Sequence, residues 1–360
     1  MASTGIVNPI FQNVPRENCS NVLPSSHVYF EELGVVSKVE AGILGGVTLI
    51  TLVIYIAEIA NQKISLRSST IVHRTSALFS LHPVYSCTSL VAVLVPRFLM
   101  LSELVAAGFS SFCLYNYFNM MLSYYGGEDT IVDMAGDIKL ALRGPPCCCC
   151  CFCCPVVSPT KKNLTRIRLA VFQCALLQPI IRFLSAVLWT EGFYSGSLNF
   201  NQPVTPVIEI INMATLLTAL YGLLTMHQAL KPHLKNYHPD AKFRVLMVVF
   251  PISTLQKLVL SILAMNNVIP CIGTISPIIL GNAIHHAFLI VEVFLFMLLA
   301  RFYFMKSLQE DLFNMQSSKA DIQSGYSVSH TTLSTFTTTT GHLGVTSLPE
   351  LTPEATTVAL

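Results

Sequence analysis

Residues 37–59 read SKVEAGILGGVTLITLVIYIAEI, with nothing charged between Glu40 and Glu58. A helix needs roughly 20 apolar residues, rising 1.5 Å each, to cross the hydrocarbon core of a bilayer. This stretch meets that length. It also lacks the strict polar–apolar alternation of a strand in a membrane barrel. Comparable stretches recur at about 76–95, 98–124, 167–190, 205–230, 243–265 and 279–304. The expectation is an all-α protein, a seven-transmembrane helix bundle.

Composition agrees. Of 360 residues, 52% are hydrophobic and 11% are charged, with a mean hydropathy of +0.61. A soluble domain carries about 25% charged residues, so this chain is too poor in charge to cover a water-facing surface. Soluble enzymes and disordered scaffolds are excluded on that ground. A net charge of +2 leaves no broad polyanion-binding face, so the expected partners are membrane lipids and no nucleic acid.

Orientation follows from Lys and Arg. Sixteen of the 21 fall in the loops after spans one, three and five and after span seven. The positive-inside rule places those loops in the cytosol, the N-terminus outside and the C-terminus inside. Residues 1–35 hold no signal-peptide core, so span one is expected to act as its own uncleaved insertion signal. The division is an extracellular segment 1–35, a seven-span domain 36–306 with a cytosolic loop 125–166, and a cytosolic tail 307–360. The tail is Ser/Thr-rich, as in Thr337-Thr338-Thr339-Thr340, and reads as disordered. Asn18-Cys19-Ser20 is a glycosylation sequon on the outer side, so Asn18 is a glycan candidate. Asn163-Leu164-Thr165, on the cytosolic side, should stay bare. Cys19 and Cys271 could form one outer bridge, which sequence alone does not decide.

The long cytosolic loop contains Ile131 to Leu142, which fits a short amphipathic helix at the membrane face. It also contains Cys147, Cys148, Cys149, Cys150, Cys151, Cys153 and Cys154, between Gly144-Pro145-Pro146 and Pro155. Cytosolic thiols stay reduced. Adjacent side chains point apart, which disfavours a tetrahedral zinc site. Membrane-proximal cysteines are substrates for palmitoylation, the reading their position favours, and several acyl chains would pin the loop to the inner leaflet. A metal site and an unmodified run are the alternatives.

Ionisable residues inside spans are costly and normally face a partner or a cavity. Counted from the outer end of each span, Glu103, Arg182, Glu209, Lys257 and His285 fall in one layer, with Glu292 one to two turns deeper. Helical spacing extends the pattern: Cys174, Gln178, Arg182, Ser185 and Trp189 share one face, as do Asn282, His285 and Glu292, and Ser253, Lys257 and Ser261. Two readings overlap. In one, Arg182 pairs Glu103 or Glu209 and Lys257 pairs Glu292, holding the bundle together. In the other, Arg182, Lys257 and His285 line a path for an amphipathic anion, which makes Glu103, Arg182, Glu209, Lys257, His285 and Glu292 substrate-path candidates. Glu58 and Lys38, near span ends, are expected to snorkel to water.

No phosphate-binding Gly loop, zinc-protease helix or nucleophile elbow is present. The chain is not expected to be an enzyme, to hold a metal or to need a cofactor.

These residues resemble a known family. Pro96-Arg97 opening span three, Glu103 within it and Tyr124-Tyr125-Gly126-Gly127-Glu128 at its end resemble the organic solute transporter alpha subunit. The Gly144-Pro145-Pro146 and cysteine run is the most specific likeness. Ala241-Lys242-Phe243, and His285, Glu292 and Arg301, fit as well. The likeness covers about 36–306; Gln256-Lys257, the Thr-rich tail and the N-terminal region depart from it. It implies facilitated, sodium-independent transport of bile acids, steroid conjugates and related organic anions across the plasma membrane. It also implies a separate single-span beta subunit; a homo-oligomer and endomembrane residence stay open. A membrane-trafficking or membrane-organising protein without transport activity is the alternative. A receptor is disfavoured, because span three ends without an acidic-Arg-aromatic switch and span seven without an Asn-Pro turn.

Overall fold

The computed structural model describes residues 23–65, 69–124, 127–133, 140–141, 156–194, 204–231 and 239–303. Asn18, Cys19, the Cys147–Cys154 run and the tail lie outside the described residues. The helices are α1 (Ser26–Glu32), α2 (Gly34–Ser65), α3 (Ser69–Phe79), α4 (Leu81–Leu94), α5 (Leu99–Tyr124), α6 (Glu128–Asp133), α7 (Lys161–Thr190), α8 (Val204–Leu230), α9 (Pro239–Met265) and α10 (Pro277–Tyr303). Two short strands, β1 (Leu140–Ala141) and β2 (Val156–Val157), pair antiparallel.

Among the described residues, six helical stretches are long and apolar enough to cross a membrane: Gly34–Lys63, His73–Leu94, Pro96–Ser123, Lys161–Thr190, Val204–Leu230 and Pro277–Tyr303. The chain is thus an α-helical, multi-pass membrane protein. Apolar side chains stand exposed along these helices, among them Val39, Leu49, Val53 and Ile56 on α2 and Leu176, Ile180 and Phe183 on α7. In water such surface would be a liability; against lipid tails it is the solvated face.

Prolines mark where the helices start and bend. Pro277 and Pro239 open α10 and α9, where the missing N–H would have had no partner anyway. Pro83 lies in the first turn of α4 and has no N–H for the Phe79 carbonyl, so the α3–α4 rod breaks at Ser80. His82 Nδ1 lies 3.3 Å from that carbonyl and satisfies it. At the start of α7, Thr160 Oγ1 accepts from the Asn163 amide at 3.4 Å, an N-cap of ordinary type.

Helix α5 sits centrally, touching α3, α4, α7 and α8. Its second half packs an apolar core: Tyr117, Phe118 and Met121 meet Leu164 and Val171 of α7 and Leu223 of α8. Glycine allows the tightest approach. A Cβ at Gly222 would lie 3.3 Å from Val171 Cγ2 and 3.4 Å from the Ile167 carbonyl. Hydroxyls inside the bundle are satisfied locally or across helices: Thr48 donates to the Leu44 carbonyl, and Ser86 of α4 donates to Thr48 Oγ1, both at 2.9 Å.

At the hairpin end, two expectations are corrected. The helix expected over Ile131–Leu142 instead spans Glu128–Asp133, and Leu140 pairs Val157 in the β-ladder. Glu128 and Asp129 favour an earlier start, because carboxylates suit a helix N-terminus and both find cations on α7: Arg168 at 2.9 Å and Lys161 at 2.8 Å. Ile131 and Leu140 are buried in the core. Glu58 does not snorkel: its side chain is 2% exposed, takes a bond from Gln62 Nε2 at 3.4 Å and lies 4.0 Å from Arg301 Nε.

At the opposite end, Tyr29, Phe30 and Leu33 pack on Ile275 and Ile279. Burial pushes the Tyr29 hydroxyl up to about 12. Gly273 has φ +54°, and a Cβ there would collide with the Glu32 carboxylate. Cys271 is disulfide-bonded; Cys19, with which it could pair, lies outside the described residues.

Candidate functional site

Between the α1 end and the apolar core lies a cavity of about 160 Å³, lined by six helices. It collects Ser89 from α4, Glu103 from α5, Gln178 and Arg182 from α7, Glu209 and Asn212 from α8, Lys257 from α9, and His285 and His286 from α10. Each enters on the polar stripe of an otherwise apolar helix, because a helix that meets lipid on one side and neighbours on the other can hide polar groups only on the inner face.

The charges form one chain. Arg182 Nη1 lies 3.1 Å from Glu209 Oε1 and 3.7 Å from Glu103 Oε2. Lys257 Nζ donates to Glu103 Oε1. Glu103 therefore bridges both cations, one oxygen to each. Glu209 is held more firmly: Tyr194 OH donates to its Oε1 at 2.5 Å, and Asn212 Nδ2 to its Oε2 at 3.5 Å. Burial, then the Glu209 charge, raises the Tyr194 hydroxyl above its ordinary value, so it stays a donor at physiological pH. Gln178 Nε2 braces the neighbouring turn, donating to the Asn212 carbonyl at 3.1 Å and to Thr215 Oγ1 at 3.0 Å. The four charged side chains are 13–28% exposed, and two carboxylates against two cations leave the layer neutral. Such mutual pairing is what makes charges tolerable at this depth.

Five of the six expected path residues thus share one cavity: Glu103, Arg182, Glu209, Lys257 and His285. Glu292 does not line it. The expected Lys257–Glu292 pair is also replaced. Adjacent residues on a helix point about 100° apart, so with Lys257 aimed at Glu103, Gln256 faces α10. Gln256 Nε2 donates to Glu292 Oε1 at 2.9 Å, and its Oε1 lies 2.7 Å from His285 Nδ1. An amide oxygen only accepts, so Nδ1 of His285 donates.

Of the expected polar stripes, Cys174, Gln178 and Arg182 reach the cavity, whereas Ser185 turns back to the Ile181 carbonyl at 2.8 Å and Trp189 packs with Leu99 and Ile208. The sequence reading did not single out Tyr194, Asn212 or Ser89. Asn212 had a signal, lying three residues after Glu209 on one helical face. Tyr194 had none, because it comes from the turn after α7. His286 Nδ1 lies 3.2 Å from Ser89 Oγ, while His286 Nε2 and Asn212 Oδ1 are buried without a hydrogen-bond partner. Among the described residues no group of three His, Cys, Asp or Glu is arranged to hold a metal.

A multi-pass helical bundle with a paired-charge cavity among its helices has the build of a membrane transport protein. The sequence profile described as organic solute transporter Ostalpha matches residues 41–309, and the chain belongs to that family, a transporter family and not an enzyme family. It is 24% identical over 287 residues to the organic solute transporter subunit alpha of Danio rerio, covering 79% of this chain and 86% of the relative. With the Homo sapiens subunit alpha it shares 28% over 211 residues, 58% of this chain and 62% of the relative. With the Leucoraja erinaceus subunit alpha it shares 27% over 271 residues, 73% and 75%. No solved structure matches.

Proposed function

We propose that the chain is the alpha subunit of a transporter that passes amphipathic organic anions, bile acids and steroid conjugates among them, down their own gradient without sodium. The observation that carries this reading is the placement of Arg182 and Lys257 together on the wall of a cavity lined by six helices. A buried pair of cations attracts an anion, while the neighbouring carboxylates keep them tolerable when no substrate is present.

The finer architecture belongs to the same proposal. Helix α9, apolar over Ile252–Met265, is the seventh span. The N-terminus is outside and the C-terminus cytosolic, which sets residues 1–35 outside, the seven-span domain at 36–306 and the tail 307–360 inside. The Cys147–Cys154 run carries acyl chains, Asn18 carries glycan, and a single-span beta subunit accompanies the chain at the plasma membrane. Glu292 acts on the path through Gln256 and His285.

The test is uptake of a labelled steroid sulfate or bile acid by cells, with and without a candidate single-span partner. Flux should follow the substrate gradient alone, and Arg182→Gln should abolish uptake per surface molecule. Surface expression with no uptake in either case favours the membrane-trafficking alternative, in which activity would follow the cysteine run instead. An initial rate that needs sodium at fixed membrane potential overturns the uncoupled mechanism.

A further inference from the structure

Beyond the charge cavity, toward the α1 end, lies a second and far smaller space. On three helices its lining sits one turn, ~5 Å, outward of the larger cavity. Ala92 stands beyond Ser89 on α4, Leu99 beyond Glu103 on α5, and Asn282 beyond His285 on α10. His286 borders both spaces. The way from the charge layer to the α1 end therefore runs between the α4–α5 corner and the start of α10.

The chain ahead of the first span fills that way. Leu23 and Tyr29 line the small space opposite those helices. Tyr29 is 5% exposed and packs with Ile275 and Ile279, and Phe30 and Leu33 pack against the same cluster. Arg97 Nε, at the α4–α5 corner, donates to the Leu23 carbonyl at 3.3 Å. The gap left is about 10 Å³, roughly the room one water needs. An amphipathic anion does not pass it.

The same segment is built to leave its seat. Helix α1 has seven residues. Helices shorter than about 12–15 residues are marginal alone, so its order comes from the contacts beneath it. Its far face is polar, with His27, Glu31 and Glu32 exposed. It meets α2 at Gly34, whose φ is +69° and where a Cβ would find nothing within 4 Å. A left-handed glycine in open space absorbs backbone rotation that other residues resist.

We propose, resting on the transport reading above, that residues 23–33 are a lid over the end of the path nearest α1, which the proposed orientation makes the outer end. The lid is seated in this structure, and passage of substrate lifts it about Gly34, opening the way past Asn282 to the charge layer.

The test reads thiol labelling at the floor of the seat. The full chain carrying Asn282→Cys is treated with a charged maleimide in permeabilised cells, where the reagent reaches both faces of the membrane. Adding Tyr29→Ala should raise the rate about tenfold if the seated form holds about nine molecules in ten. Native Cys113 and Cys174, both buried, should stay unlabelled, so the gain reports the lid and not unfolding. Equal rates overturn the lid. A lock gives the second reading. Glu32, whose carboxylate lies against Gly273, and Thr274 are both exposed. Glu32→Cys with Thr274→Cys is joined by a short bis-maleimide, without reductant because Cys271 nearby is disulfide-bonded. Linking should abolish uptake per surface molecule, and full uptake by linked protein overturns the lid. Should the variants of one measurement misfold, the other decides. No uptake by the parent removes the transport reading, and the labelling rates still decide whether the segment lifts.

Discussion

Glu103 and Glu58 are both carboxylates on membrane helices, and both are buried, yet their surroundings are opposites. Glu103 sits between Lys257 and Arg182 on the wall of the cavity. Glu58 has one side-chain amide, Gln62, at 3.4 Å and a guanidinium, Arg301, at 4.0 Å. Its Oε2 accepts no hydrogen bond. The difference lies in what each carboxylate's partners would lose without it. Removing Glu103 strands two cations at depth. Removing the charge of Glu58 strands little, because Arg301 is 42% exposed and reaches water. Burial of a charge is therefore weak evidence of its importance; the count of buried partners that depend on it is stronger.

The largest expected effect comes from breaking the better-held network. Arg182→Leu leaves Glu103 and Glu209 without their shared cation, and loss of one partner in a buried pair costs roughly 3–5 kcal/mol. A melting curve of the purified protein should drop by many degrees, and uptake per surface molecule should vanish. A melting point within a few degrees of the parent would mean that water already reaches this layer.

Packing without charge gives the middle case. Gly222→Leu forces a branched side chain against Val171 and the Ile167 carbonyl, and overpacking of this kind costs roughly 1–3 kcal/mol. Surface level should fall while the half-saturating substrate concentration of the remaining molecules stays unchanged. A changed half-saturation would show that the α7–α8 crossing reaches the cavity, and the contrast between electrostatic and packing sites would blur.

How much of this was legible in the sequence follows the same divide. The helices were, because a spanning helix needs a long apolar run and few residues can interrupt it; α5, expected at 98–124, runs from Leu99 to Tyr124. The shared depth of Glu103, Arg182, Glu209, Lys257 and His285 was legible too, since depth is a count along each helix. Rotation about the helix axis is not such a count. Whether Lys257 or Gln256 faces α5 depends on neighbours, which is why the expected Lys257–Glu292 pair gave way to Lys257–Glu103. Tyr194 was invisible for a further reason: it enters from a turn, where no period constrains direction. Glu58 looked like a span-end charge because its position along the chain says nothing of how deeply the folded bundle buries it.

The smallest effect should be at Glu58. Glu58→Gln keeps the shape and removes a charge that has no close cation. Loss of the 4.0 Å contact to half-exposed Arg301 should cost little, since pairs with one solvent-exposed partner are worth about 0–1 kcal/mol. Against it stands relief from burying a carboxylate whose Oε2 is unsatisfied, a cost of about 1–3 kcal/mol for such an atom. The two oppose, so the melting point should stay the same or rise slightly. A drop as large as that of Arg182→Leu would mean that Arg301 closes onto Glu58 in the membrane, and that both carboxylates, not one, anchor the bundle.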